Sequence, residues 1–153
     1  MFKIKQKNKE KYYDIIVKAV DDFAYRRKRY AINYSVVIGY CPAKIDMSDF
    51  IYSKRQTDIV IRLEDNLYCV VFDATPMKYA IQAIANLKVR FKKEHPHEYI
   101  YLSAINTKDY FNEDEMINGL FEILEYSVVN DMDGLVTDTN GMGHSSTLKK
   151  NKH

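Results

Sequence analysis

Tryptophan is absent from the 153 residues, and cysteine occurs only twice, at Cys41 and Cys69. Two cysteines make no disulfide framework, so a reduced, cytoplasmic setting is expected. The missing tryptophan selects no function. No apolar run approaches the ~20 residues needed to cross a bilayer, so no membrane partner is expected. The N-terminal stretch MFKIKQKNKEK lacks the apolar centre of a secretory signal. No glycine-rich phosphate loop occurs, and no nucleophile has a recognisable base partner. These absences argue against a disulfide scaffold, a membrane span and a P-loop enzyme. What is present is a chain 46% apolar with thirteen tyrosines. That suffices for one domain with a single core.

The net charge of +2 conceals an uneven distribution. Residues 1–30 hold ten Lys and Arg against four Asp and Glu, whereas residues 109–138 hold nine acids and no Lys or Arg. A basic start suits nucleic acid or anionic lipid. Without an RNA- or DNA-binding motif, a solvated helix face is the plainer reading, and nucleic acid stays a secondary alternative.

Apolar periodicity supplies the elements. Tyr12, Ile16, Val20, Phe23 and Ala24 form one stripe of a helix over residues 9–30, with the basic run 26–29 in its last turn. Residues 34–41, YSVVIGYC, read as a strand buried on both faces, ended by Pro42. Ser48 is placed to cap a short helix to about Lys54. Residues 58–63 and 67–73 read as a hairpin with its turn at Glu64, Asp65 and Asn66. Thr75 and Pro76 signal the start of a helix to about Glu94, Thr75 as N-cap and Pro76 at the first position. Residues 98–106 alternate like a strand. Asn112 and Glu115 form a capping box before the stripe Ile117, Leu120, Phe121, Leu124 and Val128. After Asp133 order is expected to fade. The expected domain covers residues 1–136, with 137–153 a disordered basic tail.

The core order is β-α-β-β-α-β. Right-handed crossovers make this an α+β, ferredoxin-like antiparallel sheet with flanking helices. That topology sets the hairpin turn beside Gly39–Cys41, and Cys69 near Cys41.

Element order and one spaced motif resemble the GGDEF domain, the nucleotide-cyclase palm of bacterial diguanylate cyclases. The motif is R-x-x-D-x-x-x-R at Arg55, Asp58 and Arg62, followed by Leu63, the five residues EDNLY and the apolar strand CVVF. The resemblance covers about residues 12–130. Glu64, Asp65, Asn66, Leu67 and Tyr68 stand where the family has its signature. Joining two GTP molecules requires metal ions that neutralise phosphate and activate a hydroxyl. The family draws carboxylates from the end of the first strand and from the third signature position. Here those places hold Ile38–Cys41 and Asn66. Glu64 and Asp65 replace two glycines, and Leu67 replaces an acid. The last helix, at LEYSVVND, offers no phosphate-binding cation, and the amino-terminal D-x-L-T turn is missing. The resemblance therefore implies a degenerate domain with no catalytic residues, no metal and no cofactor.

Arg55 and Asp58 match the family's inhibitory-site R-x-x-D, which implies cyclic di-GMP held through its guanines. An arginine fork donates to guanine O6 and N7, and a carboxylate accepts from the guanine N–H edge. The expected function is non-catalytic signalling through an unknown protein partner or cyclic di-GMP, with homodimerisation open. The rival is an enzyme with residual nucleotide cyclase chemistry at Glu64 and Asp65. His95-Pro96-His97 lacks a third zinc ligand, and 131–141 fails the spacing of a calcium loop.

Overall fold

The computed structural model describes residues 3–47, 58–141 and 143–144. Two consecutive helices open the chain: α1, Gln6–Ala19, and α2, Asp21–Tyr30. The expected single helix is broken at Val20, whose ψ of 7° departs from helical geometry. Hydrogen bonding nonetheless runs through the break, from Val20 N–H to Ile16 and from Ala24 N–H to Val20. Tyr12, Ile16, Val20 and Phe23 therefore remain one buried stripe. Asp21 and Asp22 lie in the first turn of α2, where the positive helix end favours acids.

Among the described residues, six strands form one sheet in the order β2-β3-β1-β4-β5-β6. β1, Ser35–Tyr40, lies at the centre, antiparallel to β3, Leu67–Phe72, on one side and to β4, Tyr101–Asn106, on the other. Its continuous apolar run follows from this position, since helices cover both faces. β2, Ile59–Glu64, and β3 are the expected hairpin, closed by a two-residue turn at Asp65-Asn66. Register shifts between Arg62 and Glu64, a local bulge next to the tip.

One face packs on α1, α2 and α4, Glu113–Val129, with Val36, Ile38, Cys69 and Leu120 at its centre. The other packs on α3, Met77–Glu94, through Ala80, Ile84, Leu87 and Phe91. Each fully buried Leu or Ile contributes roughly 1.5–3 kcal/mol relative to exposure. Cys41 belongs to the α3 face and Cys69 to the opposite face, so the expected approach of the two thiols does not occur. Side chains alternate along a strand, and the pairing of Ile38 with Cys69 sends Cys41 to the other side.

Three further expectations are corrected. Thr75 does not cap α3. Its hydroxyl donates to the Asp73 carbonyl, and Pro76 occupies the N-cap position. Strand β4 begins at Tyr101 rather than at residue 98. The sheet also continues past residue 133: β5, Val136–Thr137, runs parallel to β4, and β6, Gly143–His144, pairs antiparallel to β5. The sheet thus crosses the expected boundary at 136, while residues 145–153 lie outside the described residues. So does the expected short helix from Ser48 to Lys54.

The charge asymmetry resolves into internal complementarity. Lys9 pairs with Glu125 at 3.3 Å and Arg27 with Glu113 at 3.1 Å, joining the basic opening helices to acidic α4. Arg27 also donates to the carbonyls of Thr107, at 2.7 Å, and Tyr110. A planar guanidinium reaches several acceptors at once, which an ammonium does less well.

Candidate functional site

β1 ends at Tyr40, beside the tip of the β2–β3 hairpin. The chain after β1 is stitched to that tip. Cys41 N–H donates to the Asn66 carbonyl at 3.0 Å, and Met47 N–H to the Asp65 carbonyl at 3.1 Å. The Asn66 side chain answers, its Nδ2 donating to the carbonyls of Cys41 at 2.7 Å and Ala43 at 3.4 Å. The juxtaposition of residues 64–66 with the end of β1 is therefore the one expected from topology.

The other polar groups of the tip are likewise engaged within the chain. Glu64 Oε2 accepts from the Tyr12 hydroxyl at 2.9 Å and from Lys11 Nζ at 3.1 Å. Both bonds favour the ionised carboxylate, Tyr12 most, and hold its pKa below the ordinary value. Burial, then the bond to Glu64, pushes the Tyr12 phenol up to about 12. Asp65 forms an ion pair with Arg62. Leu67 and Tyr68 are buried on opposite faces, and the Tyr68 hydroxyl donates to Asp46 Oδ1 at 3.2 Å. A Cβ placed on Gly39 would stand 3.2 Å from Leu102 Cδ2 and 3.4 Å from Met47 Cε. The fully buried Met47 thus fills the space beside the end of β1.

Asp58 occupies the other end of the hairpin. It is 3% exposed, and its Oδ1 accepts from Asp73 N–H at 2.9 Å. Asp73 in turn pairs with Arg26 of α2 at 3.0 Å. Arg55, its expected companion, lies outside the described residues. The hairpin therefore separates Asp58 from Glu64, Asp65 and Asn66 by its whole length. The His95 ring lies 5.3 Å from that of Phe91. Asp133, within the rejected calcium-like stretch, accepts from Lys92 Nζ at 2.9 Å and from Ile100 N–H at 2.8 Å, tying α3 to the start of β4. Among the described residues, no three His, Cys, Asp or Glu side chains cluster as metal ligands would. No helix among them is long and apolar enough to cross a membrane.

Sequence reasoning missed the clasp of Lys11 and Tyr12 on Glu64. Fifty-two residues separate Tyr12 from Glu64, and no local signal pairs them. Tyr12 is legible only as a member of an apolar stripe, which conceals that its hydroxyl reaches the tip.

No family model matches the chain, and no curated protein matches it by sequence. Solved structures do resemble it. The GGDEF domain of DgcB from Caulobacter crescentus, in complex with c-di-GMP, superposes with a TM-score of 0.59 at 10% identity, covering 80% of this chain and 90% of that one. The GGDEF domain of TpbB, or YfiN, from Pseudomonas aeruginosa superposes with a TM-score of 0.59 at 9% identity, covering 84% of this chain and 87% of that one. The fold is therefore GGDEF-like, in agreement with the resemblance carried by the element order and the spaced Arg and Asp residues.

Proposed function

We propose that this domain is a degenerate, non-catalytic GGDEF-like unit of bacterial signalling, cytoplasmic, that acts by binding and not by making cyclic di-GMP. The observation that carries this reading is the internal engagement of the hairpin tip. Asn66 is a neutral side chain whose amide holds the backbone of Cys41 and Ala43. Glu64 is held by Tyr12 and Lys11, and Asp65 by Arg62. A metal-assisted phosphoryl transfer requires ligands free to face the ions, and each of these groups would have to leave an internal partner first. Incubation with GTP and magnesium, followed by chromatography, is expected to yield no cyclic di-GMP. Magnesium-dependent product that disappears in Glu64→Ala or Asp65→Ala overturns the proposal in favour of residual cyclase chemistry.

The burial of Asp58 favours a protein partner over cyclic di-GMP as the thing bound. Its carboxylate already organises the end of the hairpin, whereas a guanine acceptor must face solvent. Because the DgcB domain was solved with c-di-GMP, the ligand still merits direct titration. Saturable binding that Arg55→Ala weakens by about 5- to 150-fold, the worth of one bidentate guanine contact, supports a receptor. No saturation at high micromolar ligand leaves the protein-interaction reading.

A further inference from the structure

The N-terminal residues cross the sheet end that bears the hairpin tip, and between them and the sheet lies a cleft of about 290 Å³. Its floor is apolar, formed by Leu67 of β3 and Leu124 of α4, both buried. Tyr12 of α1 and Tyr40 of β1 bring two aromatic rings to its walls. Lys3 and Lys5 stand exposed at its margin.

The local charge balance is one-sided. Two carboxylates that touch lining residues of the cleft are already engaged. Glu125 Oε2 accepts from Ile4 N–H at 2.8 Å and pairs with Lys9, and Glu64 accepts from Tyr12 and Lys11. Lys3 and Lys5 form no ion pair among the described residues. Two lysines without an ion pair among the described residues therefore line a recess that two tyrosines and two buried leucines also line. Such a recess, apolar inside with a few convergent polar groups, is the usual form of a small-molecule site. Its volume lies just below the ~300–1,000 Å³ typical of such sites, enough for one ring system and too little for a dinucleotide.

We infer that this cleft binds a small aromatic anion: a single ring system between Tyr12 and Tyr40, its phosphate or carboxylate group held by Lys3 and Lys5. Each part answers one feature of the site. Leu67 and Leu124 remove the ring from water, which is favourable in proportion to the apolar area covered. The lysines donate charge-assisted hydrogen bonds, stronger than neutral ones. The site is separate from Asp58, which lies at the far end of the hairpin. It does not depend on whether the domain binds cyclic di-GMP or has lost cyclase activity.

The test is a ¹⁵N-NMR titration of the full chain with phenyl phosphate, beside inorganic phosphate and benzyl alcohol as half-ligands. Saturable shifts are expected at Tyr12, Tyr40, Leu67 and Leu124. Each half-ligand is expected to bind about tenfold more weakly or worse, as is phenyl phosphate to the Lys3→Glu/Lys5→Glu variant. Asn8 also lines the cleft, so Asn8→Trp should block binding with no change of charge. Shifts scattered away from the cleft, benzyl alcohol or phosphate binding as tightly as phenyl phosphate, or undiminished binding by either variant overturns the inference. So does the absence of saturable binding.

Discussion

Glu64 stands where the resembling family has a glycine that lets backbone approach a nucleotide. Its carboxylate instead serves as the anchor of α1, through Tyr12 and Lys11. A carboxyl whose folded pKa is depressed contributes stability that is complete above its unfolded value, about 4.3. That contribution is lost as pH falls through the folded value. The Glu64 side chain is 42% exposed, so solvent screens the effect and its share of stability is small. The cleaner readout is the titration itself. By carboxyl NMR, Glu64 should titrate below the ordinary glutamate value, and Tyr12→Phe should move its midpoint up toward that value, because the Tyr12 hydroxyl is the largest cause of the shift. An unmoved midpoint in Tyr12→Phe would remove the hydroxyl from the account. Nothing local to residues 64–66 announces this pairing. The tip is legible as a turn from its polar residues, but its partner is set by where the helix lands.

At the scale of elements, α4 shows how far local rules reach. Asn112 was readable as an N-cap with Glu115 three residues on. Asn112 Oδ1 does accept from Glu115 N–H at 2.8 Å, and Glu115 Oε1 accepts from Phe111 N–H at 3.0 Å. Replacing the cap, Asn112→Ala, should lower stability by about 1 kcal/mol in urea unfolding, and Asn112→Ser should restore most of it. A loss equal in both variants would show that the side-chain oxygen is not what matters. Local rules fall short at two other places, the break between α1 and α2 and the start of α3. The periodic stripe through Val20 continues across the α1–α2 break, because hydrogen bonds and burial continue across it. Thr75 has the right chemistry for a cap, yet its hydroxyl donates to the Asp73 carbonyl and Pro76 takes the N-cap position. Such competition between local backbone partners is common for hydroxyl side chains.

For the whole molecule, the informative difference is the end of the sheet. Val136 is fully buried against the α3 face and pairs with Leu102 in a parallel ladder. Gly134 N–H donates to the Ile100 carbonyl at 2.9 Å, so the path from α4 into β5 is held to β4. Truncation after Leu135 should therefore lower the melting temperature by roughly 5–10 °C, from the loss of one buried Val and its ladder, ~1.5–3 kcal/mol. An unchanged melting temperature would return residues 136–144 to the status of a tail.

The sequence by itself determined the interior: which residues are apolar, at what period, and hence the α+β class, the central strand and the hairpin. Periodicity is a local property, and burial follows it closely in β1, β3 and α4. The spacing of Arg55, Asp58 and Arg62 before an apolar strand carried the resemblance to the GGDEF fold. Only the tertiary structure decided what each polar group does. It gave Glu64 to Tyr12 and Lys11, Asn66 to the Cys41 and Ala43 carbonyls, Asp58 to the Asp73 amide, and Lys9 and Arg27 to α4. The physical reason is range. Hydrophobic burial is non-directional and can be read from a pattern. Hydrogen bonds and ion pairs depend on tenths of an ångström between segments far apart in sequence, which folding alone brings together.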